Sequence, residues 1–243
     1  MAAASYCTPP NPLPQPMEGR SKPRPNRRPG PPKDTYHTYV VMEGAEIRTT
    51  VTSSPDQVAN FIKEITRGHR RHEGEGGLIV GIDTEWRECG RNERGGKCYK
   101  VAVLQLCVSH RCLVFKLSRA GKYPPELADF LADPAVRFVG VGVDGDVKRL
   151  AEDCNLQVAN AVDLGKAAAT VLDQPELRRA GLKSLALTVM GAQMEKSKKI
   201  TMSNWHAQML TRQQINYACI DAYVSFEIGR RLLTGESLPA TQL

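Results

Sequence analysis

No apolar run in this chain is long enough to cross a membrane. The longest uninterrupted stretches, such as Leu78 to Ile82 and Val101 to Leu104, are a few residues long, against the roughly 20 that a spanning helix needs. A soluble protein with no membrane partner is therefore expected. Met1 to Pro16 lacks a basic segment followed by an apolar one, the mark of a secretory signal, so the cysteines are expected to stay reduced. Among the seven cysteines, Cys7, Cys89, Cys98, Cys107, Cys112, Cys154 and Cys219, there is no Cys-x-x-Cys pair and no Cys/His cluster at zinc spacing. That argues against the common structural zinc modules and leaves the set as buried or incidental thiols. No internal repeat is visible, which argues against a solenoid.

Positive charge is in surplus but unevenly placed. Of the formal +7, residues 1–35 carry six Lys/Arg and two acids, or +4, leaving +3 for the remainder. So weak an excess in the body of the chain is poor support for a polyanionic partner, since a solvated basic face looks the same.

With 243 residues there is room for one ordinary α/β domain. Residues 1–36 are dominated by proline, with Arg20, Lys22, Arg24, Arg27 and Arg28 interspersed and almost no aliphatic residue, and are expected to be a disordered tail. Arg20 to Arg28 reads as a nuclear import signal, a nonspecific phosphate contact or a solubilising spacer. The domain is expected over 37–235, with a short tail over 236–243.

Within the domain, Tyr39 to Val41 and Ile47 to Val51 predict a hairpin around Glu43-Gly44. Ser54, Pro55 and Gln57, with Val58, Phe61, Ile62 and Ile65, predict an amphipathic helix that ends near Gly68. After a glycine-rich loop, Glu73 to Gly77, the run Leu78 to Ile82 predicts a buried strand stopping at Asp83. Cys98 to Val108 and Cys112 to Leu117 predict a second hairpin. Helix Pro125 to Leu131, strand Val136 to Val143, helix Asp146 to Cys154 and strand Val158 to Val162 follow, and the last third is mostly helical.

Asp83 and Glu85 stand two apart at the end of the buried strand, so their side chains share one face. Like charges so close to a sheet interior are costly unless a cation lies between them, and a hard divalent metal meets that need. A strand's carboxyl end is also where α/β folds tend to bind ligands. Asp146 follows the glycine-rich Val139 to Val143 and opens a helix, where a carboxylate is equally a good cap; Asp144 is the competing acid. Tyr217 and Asp221, four apart on the last helix, can address one site or form a plain surface hydrogen bond.

In this order the residues resemble the DEDDy branch of 3′-to-5′ exonucleases. Asp83-Thr84-Glu85-Trp86, Val101 to Val108, Val139 to Asp146, and Ser203-Asn204-Trp205 followed by Tyr217 to Tyr223 are similar to the Werner-type exonuclease domain in particular. The resemblance covers about residues 38 to 233. It implies a ribonuclease H-like α/β fold, a mixed β-sheet flanked by helices, and two divalent cations, Mg2+ or Mn2+. It further implies that Asp83 bridges both ions, that Glu85 and Asp221 complete the site of the attacking water, that Asp146 supports the second ion and that Tyr217 orients the water. The partner it implies is a DNA or RNA 3′ end, and the location it implies is the nucleus, with the cytoplasm as an additional one. With no helicase region following, the chain is similar to a stand-alone exonuclease of the kind found in plants.

There is one departure: Lys148 stands where Werner-type sequences have an aromatic residue, replacing a base-stacking contact by a phosphate contact. Trp86 is a candidate to pack against a terminal nucleotide or simply against the core. Arg178, Arg179, Lys196, Lys198 and Lys199 are candidates to grip the phosphate backbone or to be a solvated face. Two rivals to the exonuclease are a catalytically silent nucleic-acid-binding adaptor of the same fold and an endonuclease of the wider ribonuclease H class. The intact acids argue against the first, and the Tyr-x-x-x-Asp element against the second.

Overall fold

Seven strands pair into one mixed sheet in the order β1-β2-β5-β4-β3-β6-β7. The structure is a computed structural model that describes residues 34–72, 77–91, 95–195 and 197–236. Of the disordered tail expected over 1–36, residues 1–33 lie outside the described residues, as do 73–76, 92–94, Lys196 and the C-terminal stretch from residue 237, while Tyr36 already belongs to the first strand. β1 (Tyr36–Met42) and β2 (Ala45–Thr52) form the expected hairpin. It closes through Glu43 and Gly44, both at positive φ, a twist that suits two-residue hairpins. β2 then runs parallel to β5 (Arg111–Phe115), and β5 antiparallel to β4 (Lys97–Val108).

β3 spans Ile79–Arg91 and so does not stop at Asp83. Apolarity ends there, but antiparallel pairing with β4 continues to Arg91↔Lys97, because a ladder needs only backbone groups and not apolar side chains. On its other side β3 pairs in parallel with β6 (Arg137–Gly140), and β6 with β7 (Ala161–Asp163). β6 is shorter than expected, since Val143 already belongs to the next helix.

Helices cover both faces. α1 (Pro55–His72), α2 (Pro125–Ala132) and α3 (Val143–Cys154) supply Phe61, Leu131 and Leu150 to a core with Val80, Ile82, Leu104 and Leu106. α1 passes through Gly68 where a stop was expected; a glycine inside a helix costs only about 1 kcal/mol, which the apolar face of the helix offsets. On the opposite face α4 (Leu164–Val171), α5 (Leu182–Leu185) with a π-helical turn at Ala186–Met190, α6 (Lys198–Thr201) and α7 (Arg212–Thr234) surround a second core. Val103, Cys107, Val139, Ala218, Ala222 and Ile228 belong to that core. α7 opens on a capping box in which Thr211 and Gln214 satisfy each other's backbone N–H groups.

Gln105, fully buried in β4 and paired directly with Asp83, has no hydrogen-bond partner at either end of its amide. Gln105→Leu is expected to raise stability by about 1–3 kcal/mol, the usual cost of an unsatisfied buried amide. A rise in the urea midpoint with unchanged slope is the check, and a fall would show that the amide is satisfied in solution.

Candidate active site

Alternation along β3 divides its side chains between the two faces. Val80 and Ile82 enter the core under α1 to α3, whereas Ile79 enters the core under α7 and Gly81 abuts the α7 backbone. Asp83 and Glu85 continue the α7 side. Beyond the apolar stretch a cleft of about 800 Å³ opens beside the strand. Asp83 and Glu85 from β3, Asp146 from α3, and Tyr217 and Asp221 from α7 all line it. Glu85, Asp146 and Asp221 are buried there at 6%, 8% and 2% relative exposure.

Asp146 is not a helix cap. α3 begins three residues earlier, and its N-cap is Gly142 at φ 67°, a left-handed conformation that glycine adopts without strain. Asp146 therefore lies inside the first turn, free of the backbone. It accepts a hydrogen bond from the Thr84 hydroxyl, and Thr84 in turn accepts one from Trp86 Nε1 at 2.8 Å. Burial pushes the Asp146 carboxyl up to about 6, with the Thr84 bond and the nearby Arg149 guanidinium pulling the other way. The rival acid, Asp144, is exposed and paired with Lys166 at 2.6 Å.

Trp86, 39% exposed, faces the cleft. Arg149 stacks on its ring at 4.2 Å from the centroid, a cation–π contact that holds the indole in place. Residues 201–206 line the same cleft and form its lip. Thr201 Oγ1 donates to Tyr217 Oη at 3.1 Å, and the Trp205 ring packs against Tyr217 at 6.2 Å. Gln214 Nε2 donates to Ser203 Oγ and to the Asn204 carbonyl. Buried Lys116, its pKa lowered by burial, donates to the Gln208 carbonyl at 3.0 Å.

The expected phosphate contacts are distributed differently. Lys148 is exposed and 3.8 Å from Glu152. Arg178 and Arg179 lie on a separate short helical turn, Pro175–Arg179, and Lys198 and Lys199 open α6, just before the lip in the chain. None of these lines the cleft, and Lys196 lies outside the described residues. Cleft residues that sequence reasoning did not single out are Thr84, Arg87, Glu88, Lys97, Tyr99, Thr201 and His206. Thr84, Thr201 and His206 each bond a side chain further away in the chain, Asp146, Tyr217 and Ser118, and Lys97 pairs with Glu88 across the β3–β4 hairpin; no local spacing marks them.

Thr84→Val removes the one side-chain donor seen on Asp146. It is expected to lower activity about 10- to 100-fold, the usual effect of losing a partner that orients a ligand, while Thr84→Ser retains most of it. Equal activity of all three proteins would show that the contact has no role.

A mixed sheet with helices on both faces and acids on an inner strand that line a cleft is the ribonuclease H-like fold of the DEDD exonucleases. RNase D of Escherichia coli, an exoribonuclease, superposes with a TM-score of 0.62 over 76% of this chain and 44% of its own, at 17% identity. The profile of a 3′-5′ exonuclease family matches residues 50–234, and the chain belongs to that family. It is 35% identical over 157 residues to the bifunctional 3′-5′ exonuclease/ATP-dependent helicase WRN of Mus musculus, covering 64% of this chain and 11% of that protein. A 3′-5′ exonuclease of Arabidopsis thaliana is 32% identical over 159 residues, which are 65% of this chain and 54% of that protein. The matched region thus spans little more than half of one relative and a small part of the other.

Proposed function

We propose that this chain is a divalent-cation-dependent 3′-5′ exonuclease of the DEDDy type, releasing nucleoside monophosphates from the 3′ end of a nucleic acid. The observation that carries the reading is convergence: Asp83, Glu85, Asp146, Tyr217 and Asp221, from three separate elements, line one cleft in a chain of the 3′-5′ exonuclease family. The donor set is made of carboxylate oxygens, which suit Mg2+ or Mn2+. Burial alone disfavours the charged form of Asp146, a cost that a neighbouring cation offsets. Asp83 would be shared by two ions, with Glu85 and Asp221 serving one and Asp146 the other. As the side chains stand, no three acidic, histidine or cysteine groups among the described residues enclose a metal position; the four carboxylates lining the cleft are the residues that would hold the cations.

Paired divalent cations supply a more acidic attacking water and offset the charge that builds on the leaving oxygen. The remaining work belongs to the chain. Tyr217, its hydroxyl steadied by Thr201 and its ring by Trp205, orients the water. Trp86, held by Arg149, offers the terminal base a stacking face. Lys198 and Lys199, just before the lip in the chain, meet the phosphates further along the strand.

The test is incubation of the purified chain with 5′-labelled DNA and RNA carrying recessed 3′ ends, with Mg2+, with Mn2+ and with chelator. A metal-dependent ladder shortening from the 3′ end is expected. Intact substrate that is still bound would support a silent adaptor, and cleavage of a covalently closed circle would make the protein an endonuclease.

A further inference from the structure

The outer part of the β3–β4 hairpin forms one wall of the cleft: Trp86, Arg87 and Glu88 line it from one strand, Lys97 and Tyr99 from the other. Two thiols face each other across that wall. Cys89 donates its S–H to Cys98 Sγ at 2.7 Å, and both residues are partly exposed. The other cysteines among the described residues are placed differently: Cys107, Cys112 and Cys219 are buried, and Cys154 is hydrogen-bonded to Tyr123. Cys89 sits at an irregularity in the ladder, between the Glu88↔Tyr99 and Gly90↔Cys98 pairs, so it has no directly opposed residue. A bulge turns such a side chain away from strict alternation, and here it turns the sulfur onto the partner strand's cysteine.

We propose that Cys89 and Cys98 are an oxidisable dithiol, closed by a peroxide into a disulfide that pins the outer end of the cleft wall. A disulfide bond is about 2.0 Å long, so each sulfur has only a few tenths of an ångström to travel. The Cys98 thiolate attacks one peroxide oxygen and the O–O bond breaks, giving Cys98–SOH and hydroxide. Cys89 sulfur then displaces that oxygen as water, its own proton leaving with it. The two thiols give up two electrons, and one hydrogen peroxide becomes two waters. Thiol exchange reverses the bond, which fits a transient, redox-responsive disulfide in a reducing compartment.

The experiment exposes the full 243-residue chain, under native conditions, to hydrogen peroxide, followed by alkylation and tryptic peptide mapping without reduction. Expected is the peptide Glu88 to Arg91 joined to Cys98 to Lys100, lighter than the sum of the two by two hydrogens and separated by thiol reductant. In Cys89→Ser the same treatment leaves Cys98 as sulfinic acid, because the resolving thiol is gone. Hydrogen exchange of the hairpin amides slows in the oxidised wild-type chain. Recovery of both cysteines as unlinked alkylated or over-oxidised peptides, or linkage of either one to a different cysteine, overturns the proposal. The wild-type map decides the matter even if the variant fails to fold, and it does so independently of nuclease activity.

Discussion

Asp83→Ala is expected to reduce 3′-end hydrolysis on the order of 1,000-fold, comparable to removing a group that stabilises charge in the transition state. Asp83 and Glu85 lie on β3, a strand paired on both sides, and line the cleft together with Asp146 from α3 and Asp221 from α7. In the proposed reading Asp83 would be shared by the two cations, so its loss would weaken the hold on both. Removing one carboxylate from a set that includes buried Glu85, Asp146 and Asp221 also relieves like-charge repulsion when no cation is present. The variant should accordingly be as stable as the parent, or more stable, in chelator, and should gain less from added Mg2+ or Mn2+, since a ligand stabilises only the state that binds it. Thermal unfolding with and without metal, beside the cleavage assay, checks both halves. An active Asp83→Ala would remove the acid cluster from the mechanism, and an inactive but unfolded one would be answered with Asp83→Asn.

The second large effect is structural. Gly81→Ala is expected to destabilise the protein by about 3 kcal/mol, at the upper end of the overpacking range or beyond it. A Cβ at this position would stand 2.0 Å from the Ala222 carbonyl oxygen and 2.6 Å from the Phe226 nitrogen. These are backbone atoms of α7, so no side chain can swing aside and the helix itself must move. Asp221 adjoins Ala222, and Tyr217 lies one turn earlier on the same helix. The displacement therefore costs activity as well as stability, in a variant whose acids are all present. A urea midpoint close to that of the parent would mean that α7 sits further from β3 than described. Gly229, where a Cβ would meet the Val139 side chain at 2.6 Å, marks the same close approach one strand over. There the obstructing atoms belong to a side chain, and a substitution should cost less.

Most of the elements were legible in the chain because they rest on local signals. The Glu43-Gly44 hairpin, the amphipathic α1 and the apolar β3 core follow from turn chemistry and periodicity over a few residues. Where the reading failed, a nonlocal partner decided. β3 runs past Asp83 because β4 is there to pair with it, and α1 runs past Gly68 on the strength of an apolar face buried against the sheet. The helix start expected at Asp146 differs for a local reason: Gly142 supplies a left-handed N-cap, so α3 begins at Val143 and Asp146, the acid singled out for the site, meets Thr84 instead of capping.

The sequence by itself determined the kinds of groups available for chemistry and their order along the chain. Asp83 and Glu85 share a strand face because strands alternate, and Tyr217 and Asp221 share a helix face because helices repeat every 3.6 residues. Only the tertiary structure decided which of those faces meet. The glycine contact that seats α7 on β3, the Thr84 hydroxyl on Asp146, the Arg149 stack on Trp86 and the Lys116 tie to the Gln208 carbonyl all join residues far apart in the chain. The same holds for basic residues: a sequence shows that Lys148, Arg178 and Arg179 are charged, but their distance from the cleft depends on how helices and turns pack. Charge is a property of a residue, whereas a site is a property of the distances between residues, and the packed core sets those distances.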